Sequence, residues 1–140
     1  MMEQKKEWQQ VPVRLEAFDV VRRTVLASLG NTPLTRRALL ACDEWINNVV
    51  AYSGAGSLYY SIADDEDVLR MGFLDDGIPF DPTGVSVEVS VPFEELDRGG
   101  MGLGIIRRKA SLMNYERRDG HNELLLEFRK GKTEDGQGRG

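Results

Sequence analysis

The sequence predicts an α+β fold, a two-layer sandwich with helices packed on one face of a mixed, mainly antiparallel sheet. Three observations predict it. Two early stretches carry apolar residues at helical spacing, and later stretches carry short β-rich runs bounded by turn residues. The groups also arrive as helix-helix-strands-helix-strands rather than in strict alternation. At 140 residues, with 41% hydrophobic and 29% charged residues, the chain has the composition of one globular domain with its own core.

From Arg14 to Leu29, Phe18, Val21, Val25 and Leu29 recur at helical spacing, and Gly30-Asn31 supplies a stop. Thr32 and Pro33 form an N-cap and first-turn pair for a second helix. That helix carries Leu39, Cys42, Ile46 and Val49 on one stripe and is expected to end near Ser53-Gly54. "SLYYSIA" and "VLRMGFL" read as two strands joined into a hairpin by the acidic turn "DDED". The loop "DDGIPFDPTG" follows, full of turn residues. "VSVEVSV" is open to two readings, a strand by its alternation and a lid by its position between Gly-bearing segments. A third helix is expected from about Leu103 to Met113, after "RGGMGLG". "MNYERR", the turn Asp119-Gly120 and "NELLLEF" then make a closing hairpin. The domain is expected over residues 1–130, with a disordered polar tail at 131–140.

A net charge of −5 and a pI near 5.0 argue against direct nucleic-acid binding, which needs a cationic surface, and suit solubility. The one cysteine, Cys42, excludes an internal disulfide and suits a reducing compartment. Its place on the apolar stripe marks it as core rather than nucleophile. No apolar stretch approaches the roughly 18 residues of a membrane span. These readings point to a cytoplasmic domain without a membrane role. His121, the single histidine, lies just past a hairpin turn, a solvated position.

Three segments are candidates for chemistry. In "DEWINNVVAYSG", Glu44 and Asn48 are four residues apart and therefore share a helix face, turned away from Cys42, Ile46 and Val49. A carboxylate and an amide oxygen together suit Mg²⁺, which takes oxygen donors and often only one or two protein ligands beside phosphates. An exposed helix face with an incidental Glu and Asn has the same spacing. In "DDGIPFDP", Asp75 ends a strand, where its carboxylate can accept from an exocyclic amine, and Gly77 allows close approach of a planar base. A tight turn with a local backbone acceptor is the plainer alternative. In "RGGMGLG", glycines at 99, 100, 102 and 104 lead into a helix, whose bare N–H groups and dipole favour phosphate. The spacing fits neither the dinucleotide fingerprint nor the P-loop, and a flexible linker is the plainer alternative.

In this order, the three segments resemble the nucleotide-binding boxes of the GHKL ATPases, the Bergerat fold. "ELDRGGMGLGII" and "DDGIPFDP" look most like the bacterial anti-sigma factor serine/threonine kinases, and the resemblance runs from about Val11 to Lys130. It implies ATP and Mg²⁺ as ligands, with Asn48 binding the metal and Glu44 acting as base or polarising carboxylate; Asn47 receives no role. It further implies that Asp75 and Gly77 meet adenine. Gly99, Gly100, Met101, Gly102 and Leu103 would cradle the phosphates, and Arg98 would lie near the terminal one. The implied partners are an anti-anti-sigma (STAS-type) protein and an alternative sigma factor, and close relatives pair as homodimers.

Two positions depart from the family pattern. Relatives often have a His where this chain has Tyr52, and many have a Thr near adenine in the last strand, where the match here is Leu125. Tyr52 reads equally well as a packing residue. Two rivals to the kinase stand: a nucleotide-gated binding module without phosphoryl transfer, favoured less because it has no need of Glu44, and an interaction domain that has lost nucleotide, disfavoured by the glycine box. A sensor histidine kinase is not expected, because nothing upstream in this sequence offers a phosphoacceptor helix pair with its histidine.

Overall fold

The computed structural model describes residues 7–84 and 101–131, with backbone only at 101–103. Helix α1 (Glu16–Leu29) buries Ala17, Val21 and Val25 and leaves Phe18 and Leu29 half-buried along the expected stripe. Gly30 ends it at φ 81°, its N–H donating to the Leu26 carbonyl at 2.9 Å. Helix α2 (Pro33–Asn48) starts on a capping box in which Thr32 and Thr35 satisfy each other's backbone N–H. It does not simply run on to Ser53. Val49–Ser53 is a π-helical turn, closed by Gly54 in the left-handed region at φ 69°.

Strands β2 (Leu58–Asp64) and β3 (Val68–Asp75) form the predicted hairpin. Asp65 closes its turn by accepting from the Asp67 and Val68 N–H groups at 2.9 and 3.0 Å. A short 3-10 turn, Pro82–Gly84, follows the loop. Helix α3 (Met101–Lys109) begins two residues before the expected start and stops four residues before the expected end. The Ala110 N–H makes a final helical bond to Ile106, and the next N–H, of Ser111, already pairs with the Glu127 carbonyl of the sheet. Leu112 and Met113 thus belong to β4 (Leu112–Arg118), which turns through Asp119 (φ 54°) and Gly120 (φ 77°) into β5 (His121–Arg129). Two successive positive φ angles are the geometry a two-residue hairpin requires.

The sheet also has a strand that the sequence reading missed. β1 (Gln9–Val11) pairs with β2, and the five-stranded order is β1-β2-β3-β5-β4, with every described pairing antiparallel. Gln9 and Gln10 are exposed and carry no apolar alternation, so only the open edge of β2 makes them a strand. On one sheet face Tyr60, Met71, Phe73, Leu124, Leu126 and Phe128 are buried beneath Val21, Val25, Cys42 and Ile46 of the helices. This is the two-layer sandwich expected. "VSVEVSV", the start of the glycine box and the C-terminal tail lie outside the described residues, and so does the choice between strand and lid.

Candidate active site

Alternation along β3 turns Phe73 and Asp75 to the helix side of the sheet, which places a carboxylate at the end of the core. Asp75 is only 1% exposed. Burying a carboxylate demands donors, and two are present: the Gly77 N–H at 2.9 Å and the Asn122 amide at 3.0 Å, both on Oδ1. Among the described residues Oδ2 accepts nothing. One oxygen is therefore fixed and the other is left as an oriented acceptor.

Asn122 is a candidate site residue that the sequence reading did not find. It sits directly opposite Asp75 in the β3–β5 register and is 3% exposed. Its amide also donates to the Ile78 carbonyl at 2.8 Å, while Oδ1 accepts from the Phe80 N–H at 3.3 Å and from the Tyr115 hydroxyl. Arg117 adds a bond to the Gly77 carbonyl at 2.8 Å. The residue beside the aspartate in the last strand is thus Asn122, and the assignment to Leu125 is corrected. Leu125 pairs with Gly72, three residues along, on the face turned away from the helices. The two-residue turn at Asp119-Gly120 fixes only the register of β5 against β4, so no local signal placed Asn122 opposite Asp75 on β3.

The neighbouring acids do different work. Asp76 is exposed and accepts from the Gly56 and Ser57 N–H groups at 2.8 and 2.9 Å, which hold its carboxyl below the usual range. Gly77 is needed first by the protein itself: a Cβ there would lie 2.6 Å from the Ser53 carbonyl oxygen. The Ile78 N–H donates to that same carbonyl at 3.0 Å, so the loop is seated on the end of the π turn. Ser53 closes the turn through its hydroxyl, donating to Val49 at 2.7 Å and accepting from the Ala55 N–H at 3.0 Å.

Glu44 and Asn48 lie one turn apart on α2, both half-buried and without a side-chain partner among the described residues. Burial, and next the charge of Asp43, push the Glu44 carboxyl up; burial also pushes Asp43 up. An unpaired carboxylate whose proton affinity is raised is better suited to accept a proton than an ordinary surface glutamate. Asn48 offers one oxygen donor, and no described cluster of three acidic, His or Cys side chains provides a complete protein cage for a metal. A cation taking most of its ligands from phosphates and water, as Mg²⁺ does, fits that donor set.

The loop after Asp75 and the two helices are joined by specific contacts. Phe80 stacks on Trp45 of α2, with ring centroids 6.2 Å apart and planes 19° from parallel. Arg107 of α3 donates to the Pro82 and Thr83 carbonyls at 3.1 and 3.2 Å, and α3 packs against α2. The backbone of Met101, Gly102 and Leu103 forms the first turn of α3, where N–H groups lack intrahelical acceptors. Arg98, Gly99 and Gly100 lie outside the described residues. Tyr52 is 49% exposed, which removes the packing reading. His121 bonds the Asp119 carbonyl through Nδ1 at 2.9 Å. Cys42 is fully buried, its Sγ donating to Met71 Sδ at 3.4 Å, and burial pushes its thiol far above the ordinary range; it is core.

A helix-covered antiparallel sheet with an acidic helix face and a buried aspartate at the end of a strand is the arrangement of a nucleotide-binding module of the GHKL class. The chain belongs to the family of the histidine kinase-like ATPase domain, whose profile matches residues 11–128. It is similar to the serine/threonine-protein kinase BtrW of Bordetella bronchiseptica, 27% identical over 92 residues, a match covering 62% of this chain and 65% of that protein. Among solved structures it is similar to the Acinetobacter baumannii histidine kinase AdeS, at 14% identity and a TM-score of 0.48, over 90% of this chain and 68% of that one. Membership of that family makes this a histidine kinase-like ATPase domain, a module that binds ATP. No helix among the described residues is long and apolar enough to cross a membrane.

Proposed function

We propose that this protein is an ATP-dependent serine kinase of the anti-sigma type, acting on a small anti-anti-sigma (STAS-type) partner and sequestering an alternative sigma factor. The observation that carries the nucleotide reading is the Asp75 carboxylate, buried, held through Oδ1, and presenting Oδ2 to an exocyclic amine. Adenine offers such a donor, whereas guanine places a carbonyl oxygen there. Resemblance to the serine/threonine-protein kinase BtrW supports serine as the acceptor. A cytoplasmic setting and pairing as a homodimer complete the proposal.

In this reading the first-turn amides of α3 at Met101, Gly102 and Leu103, with Gly99 and Gly100, bind the phosphates, where an anion complements the helix dipole. Asn48 would hold Mg²⁺ through its amide oxygen, and the bound ion would neutralise charge on the phosphate oxygens. Glu44 accepts the proton of the attacking serine hydroxyl, and Arg98 offsets charge on the transferred phosphoryl group. Transfer breaks the bond between the β–γ bridging oxygen and the γ-phosphorus, forms the seryl O–P bond and leaves ADP. Tyr52, half-exposed and uncharged, supports a second reading: a nucleotide-gated binding module with no transfer. Incubation with γ-labelled ATP, Mg²⁺ and the candidate partner separates them. Label on a partner serine is the kinase result; nucleotide-dependent partner binding without label is the module result.

A further inference from the structure

The indole of Trp45 is 2% exposed, yet its Nε1–H has no hydrogen-bond partner among the described residues. Buried tryptophans usually bond that group, and an orphaned one in a native core calls for a reason. With no polar bond to hold it, the ring is positioned by packing, and its stacking partner is Phe80. Phe80 is tied by its own N–H to Asn122 Oδ1 at 3.3 Å, and the Asn122 amide holds Asp75 Oδ1 at 3.0 Å. At the other end of this chain of contacts, Glu44 immediately precedes Trp45, and Asn48 lies three residues beyond it on the same helix. A continuous path therefore runs from the base-reading carboxylate to the helix face assigned to metal and proton transfer.

Resting on the nucleotide reading above, we propose that Trp45 is a positioning residue, which through its stack on Phe80 passes occupancy of the Asp75 loop to Glu44 and Asn48. A shift of the loop moves the Phe80 ring. The indole follows, because close-packed interiors transmit displacement and nothing polar anchors it. Its helix turn carries the two side chains with it. The stack is specific to the ring pair, since an aliphatic side chain fills space without fixing ring orientation.

The test uses Trp8→Phe, which leaves Trp45 as the single tryptophan of the two in the chain. Trp8 packs over Gly72, on the sheet face turned away from the helices. ADP is titrated with and without Mg²⁺, following binding by calorimetry and Trp45 by emission. The expected result is a saturable emission change with the calorimetric midpoint. Phe80→Leu in the same background should keep ADP binding within about tenfold, lose the emission change, and lose about fivefold or more of the Mg²⁺-dependent tightening. Phe80→Tyr, which restores a ring, should recover both, a rescue that a merely space-filling role does not require. Trp45→Leu, read by calorimetry alone, should lose the same factor, and combining it with Phe80→Leu should add little. Calorimetric binding with silent Trp45 emission, or an undiminished emission change in Phe80→Leu, overturns the inference and leaves the nucleotide reading standing. Absence of any ADP binding to the parent protein overturns both.

Discussion

Asn122 faces Asp75 across the β5–β3 pair and fixes one of its two carboxylate oxygens through a 3.0 Å amide bond. The geometry makes Asp75 a one-sided acceptor, and base selectivity follows from it. ATP should bind more tightly than GTP by roughly tenfold to a hundredfold, the equivalent of about 1–3 kcal/mol for a buried polar group left facing another acceptor. Calorimetric titration of both nucleotides checks this, and equal affinities would remove Asp75 from the role.

Removing the amide should be felt in the empty protein too. Asn122→Leu leaves Asp75 with one donor and strips the Ile78 carbonyl, the Phe80 N–H and the Tyr115 hydroxyl of a partner. A loss on the order of 1–3 kcal/mol is expected for each such group that stays dry, reduced where water reaches it. Urea denaturation measures the loss. Leu125→Thr, at a position on the far side of the sheet, should leave ATP affinity unchanged.

Gly77→Ala should displace the loop, because the new Cβ would meet the Ser53 carbonyl at 2.6 Å. Overpacking of this kind typically costs about 1–3 kcal/mol. A lower melting temperature accompanied by weaker ATP binding is expected. Ser53→Gly should not rescue it, since the clash includes backbone. A Gly77→Ala protein with parental stability and affinity would show that the loop is not seated on the π turn.

Much of this arrangement was legible in the sequence, and the exceptions share a cause. Helical spacing located α1 and α2, Thr32-Pro33 and Gly30 their ends, and the Asp119-Gly120 pair the closing hairpin, because these signals are local. β1 was not legible, since Gln9 and Gln10 become a strand only when β2 offers an edge. α3 ended early because Ser111 was captured by Glu127, a residue far along the chain. In the site, the shared helix face of Glu44 and Asn48 and the strand-end position of Asp75 followed from spacing and strand pattern. Asn122 did not, because its role depends on register across two strands. Gly77 carries a constraint that was hidden for the same kind of reason: its close neighbour is Ser53, which spacing alone does not reveal.

The raised carboxyls of Asp43 and Glu44 give a pH dependence with a definite sign. Each binds its proton more tightly folded than unfolded, Asp43 through burial and Glu44 through burial and the Asp43 charge. Their stability contribution is thus fully present below the ordinary carboxylate range and is lost as pH rises through the raised folded values. Asp43→Asn removes one of the two burdens and lowers Glu44 toward its ordinary value. Both groups are only half-buried, so solvent screening keeps the effect modest. Denaturation midpoints should show Asp43→Asn more stable than the parent at pH 7, with the difference shrinking toward pH 4. A difference that grows on acidification would reverse the assignment.

Glu44 and Asn48 share a helix face but should fail differently. Asn48→Ala removes the amide oxygen assigned to Mg²⁺, so both ATP affinity in Mg²⁺ and phosphoryl transfer should fall, while affinity measured in EDTA should hardly change. Glu44→Gln keeps the shape and can still accept a hydrogen bond, but it is a far poorer base. Transfer to the partner serine should drop by about 10²-fold or more, the usual scale of a general-base contribution. ATP affinity should move much less, because the carboxylate acts in the transition state rather than in ground-state binding. The raised Glu44 pKa adds a check: the parental transfer rate should decline on acidification as the carboxylate is protonated, and that limb should be missing from the residual rate of Glu44→Gln. Transfer by Glu44→Gln at the parental rate would reduce Glu44 to a residue of the helix face. Loss of ATP binding equal to the loss of transfer would instead place Glu44 among the nucleotide's ground-state contacts.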